Sequence, residues 1–374
     1  MEKVIYMKII TYYLPQFHTF PENDEWWGEG FTEWTNVKGA KPLYEGHLQP
    51  KIPLDKNYYN LLDINVLRWQ SELAQKYGIY GFCYYHYWFD GKMLMNRPME
   101  ILLENTDIKQ PFCVCWANED WTKAWAKRDK TVLIGQTYGS KEDWKRHFEY
   151  LLPFFKDERY ITVDGKPIFI IYRPELIGTL REMLVYWKKL AVKSGLQGIC
   201  FVYQQSTYNH LKEPTGDLFD YGIEYHPNFV RKEQRKSLKL IREKILNEFV
   251  TKFGLRQSKI STIIYDYDDT WKRILDTVPR DSKMIPGAFV NWDNTPRYKK
   301  RASMEDGYSA EKFEKYLTIQ IKRAREVYKK DLLFLFAWNE WGEGGYLEPD
   351  EHERYSRLEA VKFALAKNGE LSIR

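Results

Sequence analysis

The stretch DINVLRWQSELAQKYGIYGFCYYHYW, residues 63–88, changes period part-way along. Over Asp63–Tyr77 apolar residues recur at helical spacing, and the run stops before Gly78. A few residues later Gly81–Trp88 reads as a strand, short and rich in aromatic and apolar residues. The same alternation continues in both directions. Strand-like runs stand at Lys8–Leu14, Gly81–Trp88, Pro111–Asn118, Pro167–Tyr172, Gly198–Tyr203, Tyr221–His226, Met284–Asn291 and Leu332–Trp338. Helical patterns lie between most of them: Lys141–Phe155 after the candidate N-cap Ser140, Leu180–Lys193 before Gly195, Ala310–Lys329 after Ser309, and a closing Glu351–Ala366. Strands alternating with helices pair in parallel, and eight such units predict an α/β fold of the (β/α)8 TIM-barrel type. The extra length falls in residues 15–62 after strand 1 and in 228–262 after strand 6. With no internal repeat and no low-complexity tract, residues 1–374 are expected to form one barrel domain. The rival, a doubly wound sheet, lacks a GxGxxG after any strand.

Composition narrows the function. The 374 residues include 29% charged and 44% hydrophobic residues, an ordinary globular balance. The formal net charge of +5 gives no case for nucleic acid. Mean hydropathy is −0.60, and no apolar run approaches the roughly 20 residues of a membrane span. The start, Met1–Met7, runs into a strand-like segment without an apolar leader core, so a cytoplasmic protein is expected. Cys83, Cys113, Cys115 and Cys200 sit in strand-like runs without CxxC spacing, which fits buried free thiols. Segment 231–259 carries ten Lys/Arg and three Glu in an amphipathic pattern. A solvated helical face is the favoured reading there, and contact with an anionic membrane surface the weaker one.

Aromatic residues reach 17%. Most must serve the core, because rings bury large areas. What matters is which of them stand with acids at the C-terminal ends of barrel strands, where such folds build their sites. The ends read Tyr12-Tyr13-Leu14-Pro15-Gln16-Phe17-His18, Tyr84–Trp88, Cys115–Trp121, Tyr172-Arg173-Pro174, Tyr203-Gln204-Gln205, Glu224–Pro227, Asn291–Asn294 and Trp338–Gly344. Nearly every one couples a ring to an acid, amide or imidazole. Rings stack on the C–H faces of sugars and polar groups bond the hydroxyl rim, so the set describes a glycan-lined cleft. The candidates for glycan contact are Tyr13, Gln16, His18, Trp34, His86, Trp88, Trp116, Asn118, Tyr172, Glu224, His226, Trp292, Asp293, Trp338 and Asn339.

Glycoside cleavage uses two carboxyl groups. One candidate pair is Glu340 with Glu343, three apart on a turn flanked by Trp and Gly. Like charges held close raise one pKa, as a general acid requires. The other pair is Glu119 with Glu340, each following an Asn at a strand end; for Glu119 a salt bridge is an equally good reading. None of the seven His falls into HxxxH or HExxH spacing, so no metal is expected, and no cofactor. His18, His86 and His226 read as hydrogen-bonding or structural residues. No GxSxG elbow or GxxxxGK[ST] phosphate loop occurs, and Asp266-Tyr267-Asp268 matches a DxD only by its letters.

Several motifs together resemble the WbsX-type polysaccharide-biosynthesis family, which has a glycoside hydrolase family 99-like domain. They are Tyr13–His18, Glu22-Asn23-Asp24 with Trp26-Trp27-Gly28, Gly30–Val37, Tyr77–Phe89, Cys115–Glu119, Val163–Pro167, Trp292–Thr295 and Ala337–Glu343. The likeness spans nearly the whole chain. It implies a carbohydrate-active enzyme that works on a bacterial surface polysaccharide, O-antigen or capsule, or on its precursor. The two activities it implies are a retaining glycoside hydrolase and a glycosyltransferase. Family 99 enzymes are (β/α)8 endo-α-mannosidases with their acids in a motif similar to Asn-Glu-Trp-His-Glu-Gly. Here the run is Asn339-Glu340-Trp341-Gly342-Glu343-Gly344, with glycine in place of histidine. By this resemblance Glu340 would be the base and Glu343 the acid of a route through a 1,2-anhydro sugar; Glu119, which that pattern does not place, stays a separate candidate for catalysis or substrate binding.

Overall fold

In the computed structural model, residues 6–122, 131–206, 217–234 and 262–371 are described. Eight parallel strands form the barrel: β1 (Lys8–Tyr13), β2 (Gly81–Phe89), β3 (Phe112–Trp116), β4 (Lys166–Ile171), β5 (Cys200–Gln205), β6 (Tyr221–Glu224), β7 (Met284–Ile285 and Gly287–Phe289) and β8 (Leu332–Phe336). Each pairs with the next, and β8 pairs back on β1 with Lys8 opposite Leu332. β7 is interrupted at Pro286, which has no N–H to give the ladder. Its first half pairs with β6 and its second with β8, while the Pro286 carbonyl accepts from Phe334 N at 3.2 Å. The eight predicted strands are the eight observed.

Helices follow the strands: α1 (Pro21–Trp27), α2 (Glu33–Gly39), α3 (Ile64–Lys76), α4 (Arg97–Glu104), α5 (Lys141–Phe155), α6 (Leu180–Lys193), α7 (Asn228–Gln234), α8 (Tyr267–Asp276), α9 (Thr295–Tyr298), α10 (Ala310–Glu326) and α11 (Ser356–Lys367). Asp63 caps α3 by accepting from Asn65 N at 2.9 Å, and Ser309 caps α10 by accepting from Lys312 N. The predicted cap Ser140 makes no such bond; its hydroxyl turns to Glu142. The last helix starts at Ser356, five residues later than the pattern predicts. The Asp350 carboxylate draws the backbone N–H groups of His352 and Glu353 into a turn first. The insertion after β1 carries α1 and α2. Most of the basic segment 231–259 lies outside the described residues. No helix of the described residues is long and apolar enough to cross a membrane.

Side chains alternate across each strand. On the inner face Tyr12 stacks on Tyr85 at 5.6 Å and meets Tyr225 edge-on at 5.2 Å. On the outer face Phe169 packs on Trp187 of α6, and Tyr13 donates to Gln70 of α3 at 2.7 Å. This parity decides which strand-end residues can reach the barrel mouth.

Candidate active site

β8 ends in a tight device. Asn339–Glu340 pairs antiparallel with Gly345–Tyr346, enclosing a 3-10 turn over Trp341–Glu343. Gly344 closes the turn at φ +67, and a Cβ there would lie 2.8 Å from Asp293 N. The same Asp293 N donates to the Glu343 carbonyl at 2.7 Å, so the loop after β7 docks on the turn. Asn339 ties the turn to the end of β1: its Oδ1 accepts from Leu14 N at 2.7 Å and its Nδ2 donates to Leu14 O at 3.0 Å. Trp341 stacks on Tyr346 at 3.7 Å and donates through Nε1 to Glu348 at 2.7 Å. The buried Glu348 also accepts from Tyr59 and Gln70. Burial pushes its carboxyl up to about 7, against the pull of those donors.

The turn presents Glu340 and Glu343 to one guanidinium. Arg297 of α9 places Nη2 3.2 Å from Glu340, Nη1 2.9 Å from Glu343 and Nε 2.8 Å from Glu33 of α2. All four are buried or nearly so, with side-chain exposures of 7% for Arg297, 0% for Glu33, 5% for Glu340 and 18% for Glu343. Burial pushes Glu340 up to about 8, opposed by Arg297 and reinforced by the negative charges of Glu343 and Glu33. Glu343 is raised too, by burial first and by Glu33, again against Arg297. The carboxylates in turn keep Arg297 protonated despite its burial. A Cβ on Gly342 would overlap Glu33 Oε1 and lie 2.7 Å from Arg297 Nε. The space beside the turn, where the family 99 motif has a histidine, is therefore filled by the Glu33–Arg297 pair.

Tyrosines complete the surroundings. Tyr85 and Tyr87 on β2 feel the charge of Glu340, and Tyr298 of α9 that of Glu343. Tyr225 feels both acids, and its hydroxyl lies 3.1 Å from that of Tyr85. Tyr172, beyond β4, feels Glu119 and Glu343. Burial is the main cause that raises each of these phenols above its ordinary value. Glu119 is part-exposed at 43% and pairs with Arg173, which also pairs with Glu175. Asn118 clamps the two loops, exchanging hydrogen bonds of 2.8 and 2.7 Å with the backbone of Arg173.

Of the predicted residues, the structure thus brings together Glu340, Glu343 and Tyr172, with Glu119 near them. Asn118, Asn339 and Asp293 serve as braces. The Asp293 carboxylate accepts from His47 at 2.9 Å, Gln49 at 2.6 Å and Thr295 N, and these bonds outweigh burial to hold it below the usual range. Other candidates require correction by strand parity. Tyr13, His86, Trp88 and Trp116 point to the helix layer. His86 Nε2 lies 2.9 Å from His147 Nε2 of α5, and burial drives the His86 imidazole down to about 3. Trp88 stacks on His147 at 4.5 Å and donates to Asp143; Trp116 donates to the Trp88 carbonyl. Glu224 accepts from Tyr328 at 2.8 Å, with His226 3.6 Å away. Trp338 packs on Phe82, and Trp34 on Phe17 and Trp341. Trp292 donates to Ser303 and lies under the Arg231 guanidinium. Gln16 and His18 are buried in the loop after β1, the latter bonded to the Thr19 carbonyl.

Sequence reading missed Arg297, Glu33 and the other tyrosines around the acids, Tyr85, Tyr87, Tyr225 and Tyr298. Parity along Gly81–Phe89 could have found Tyr85 and Tyr87. Glu33 stands inside the quoted motif Gly30–Val37 but carries no mark of its role. Arg297 has no local signal. Among the described residues no three His, Cys, Asp or Glu stand close enough to hold a metal ion.

Comparison with known proteins agrees with this architecture. A family model described as Glycosyltransferase WbsX matches residues 9–361. WxcX from two strains of Xanthomonas campestris pv. campestris is 33% identical over 361 residues, which cover 96% of this chain. The chain spans about half the length of these relatives (50%). Among solved structures, the GH99 endo-alpha-mannosidase from Bacteroides thetaiotaomicron superposes with TM-score 0.53 at 13% identity, covering 96% of each chain. A structure titled glycoside hydrolase-like protein superposes at 0.57 with 10% identity, covering 100% of this chain and 96% of that one. At such identities the likeness shows a shared fold.

Proposed function

The chain belongs to the WbsX glycosyltransferase family, and from that premise we propose that it cleaves a glycosidic bond in a bacterial surface polysaccharide or its precursor, with retention of configuration. The observation that carries this reading is the pair of buried carboxyl groups, Glu340 and Glu343, on one turn at the barrel mouth and joined by one guanidinium. Burial raises both, helped at Glu340 by the charge of Glu343 and at Glu343 by that of Glu33, which suits one of them to hold a proton while the other accepts one.

The roles follow the family 99 resemblance. Glu340 takes the proton of the sugar 2-hydroxyl as that oxygen attacks C1. The bond from C1 to the leaving oxygen breaks, and Glu343 gives that oxygen its proton. A 1,2-anhydro sugar remains. Water then opens it at C1, giving its proton to Glu343, while the 2-oxygen recovers a proton from Glu340. Two displacements at C1 give net retention. The route needs a 2-hydroxyl trans to the leaving group, as in α-mannosides, and no carboxylate bonded to the sugar. Glu119, paired with Arg173 beside Tyr172, would contact the glycan further along the mouth.

The family description favours a second reading, transfer of a sugar from an activated donor, with Glu340 as the base on the acceptor hydroxyl. Product analysis separates the two. Surface glycan and lipid-linked oligosaccharide are each incubated with the native protein and with Glu340→Gln. Release of a defined oligosaccharide by the native protein alone, with NMR showing a retained anomer, supports hydrolysis. Transfer that appears only when a nucleotide sugar is added replaces it with the second reading, and an inverted product excludes the anhydro-sugar route.

A further inference from the structure

We propose that Arg297, anchored by Glu33, is a positioning residue that makes Glu340 and Glu343 share a single proton; this rests on the reading of the two acids given above. The geometry carries the argument. Nε, Nη1 and Nη2 of one planar guanidinium each meet a different carboxylate, at 2.8, 2.9 and 3.2 Å. A rigid fork committed in this way fixes the two acids relative to each other. Were all three carboxylates ionised around one cation, two negative charges would be left uncompensated in a place with little solvent, where an unpaired charge is costly. Retaining one proton removes one of them.

Glu33 decides how much of the cation reaches the other two. It occupies the Nε edge with Oε1, and its Oε2 is buried with no hydrogen-bond partner among the described residues. Such a carboxylate depends on Arg297 alone and draws on its charge. Gly342 leaves the room for this pair, since a Cβ there would overlap Glu33.

The other groups facing the acids do not supply the proton. Tyr85 and Tyr87 from β2, Tyr172 beyond β4, Tyr225 beyond β6 and Tyr298 of α9 are held neutral by burial. Arg231 of α7 is engaged with Glu305 at 2.7 Å, and Glu119 with Arg173. At rest the deeper burial of Glu340 and the closer contact of Glu343 with Arg297 place the shared proton on Glu340. The chemistry above needs it on Glu343, so the first step requires the proton to pass from Glu340 to Glu343.

The test is a titration that needs no turnover. In the full chain with 13C-labelled glutamate carboxyls, the resonances of the pair are assigned with Glu340→Gln and Glu343→Gln. They are then followed against pH in the native protein, in Glu33→Gln and in the double variant Glu33→Gln/Arg297→Gln. Removing the Glu33 charge lowers the later ionisation of the pair by about one pH unit; removing cation and counter-ion together raises it by a similar amount. The double variant removes one charge of each sign, so the net charge of the site is unchanged, and it decides alone should Glu33→Gln fail to fold. Unmoved titrations, or shifts of the same sign in both variants, overturn the inference. Shifted titrations in a protein that cleaves no glycan would keep the inference and sink the hydrolase reading; cleavage with unmoved titrations does the reverse.

Discussion

The carboxylate of Glu33, from the helix after the first strand, occupies the volume that a side chain on Gly342, after the last strand, would need. An isolated glycine in a catalytic-type turn would ordinarily suggest backbone freedom. Here it reports occupancy of the adjoining space by an acid and an arginine. Gly342→Ala is therefore expected to displace the pair, cost about 1–3 kcal/mol of stability through overpacking, and lower turnover further than the stability loss explains. Thermal melting beside glycan release checks this; a fully active, equally stable Gly342→Ala would contradict the packing.

Removal of either acid should separate their roles. Glu340→Gln and Glu343→Gln are each expected to lower glycan cleavage by about 10²–10⁴-fold while the fold persists. A substrate with a good leaving group should restore the first step in Glu343→Gln, because departure then needs no proton, and leave Glu340→Gln slow. Equal rescue of both variants, or of neither, would argue against this division.

Stability should fall with rising pH across the neutral range. Glu340 and Glu348 are pushed up to about 8 and about 7 from the ordinary 4.5. Between 4.5 and those values the folded chain holds protons that the unfolded chain has released, so ionisation on going upward destabilises the fold. Melting temperature is expected to drop by several degrees from about pH 6.5 to pH 8, and Glu348→Gln should flatten the slope. Below that window His86 and His147, held neutral by burial, act in the opposite sense, as do Asp293 and Asp350 at more acid pH. A melting temperature that rises over about pH 6.5–8 would show the Glu340 and Glu348 carboxyls to be ordinary.

Strand parity gives a prediction for neighbouring residues. Tyr87→Ala should raise KM for glycan, since Tyr87 stands on the face that feels Glu340. His86→Ala should leave KM in place and lower the melting temperature by several degrees, since it opens a cavity against His147. A KM change at His86 with none at Tyr87 would reverse the assigned faces.

The fold was legible because each strand and helix announces itself locally, by period and by punctuation such as Gly78 and Ser309. The acids were legible because Glu340 and Glu343 share one turn flanked by Trp338, Trp341 and Gly344. What could not be read was the tertiary meeting of Glu33 with Arg297, which lie 264 positions apart. A salt bridge across that distance leaves no periodic trace. The misassigned His86, Trp88 and Trp116 show a different failing. Strand ends were scored by residue type, whereas alternation sends every second side chain to the helix layer. Glu351 began a helix on paper because its pattern is helical; the Asp350 side chain, capturing two backbone N–H groups, won locally.

The pairing of β8 with β1 and the hold of Asn339 on Leu14 have a consequence for synthesis. Both acids and the strand that shuts the barrel arrive together, more than 300 residues after the strand they join. A nascent chain on the ribosome that still lacks residues 332–346 has an open sheet edge along β1 and no acids. It lacks the two-acid turn and must be kept from pairing that edge with another chain until the seam is made.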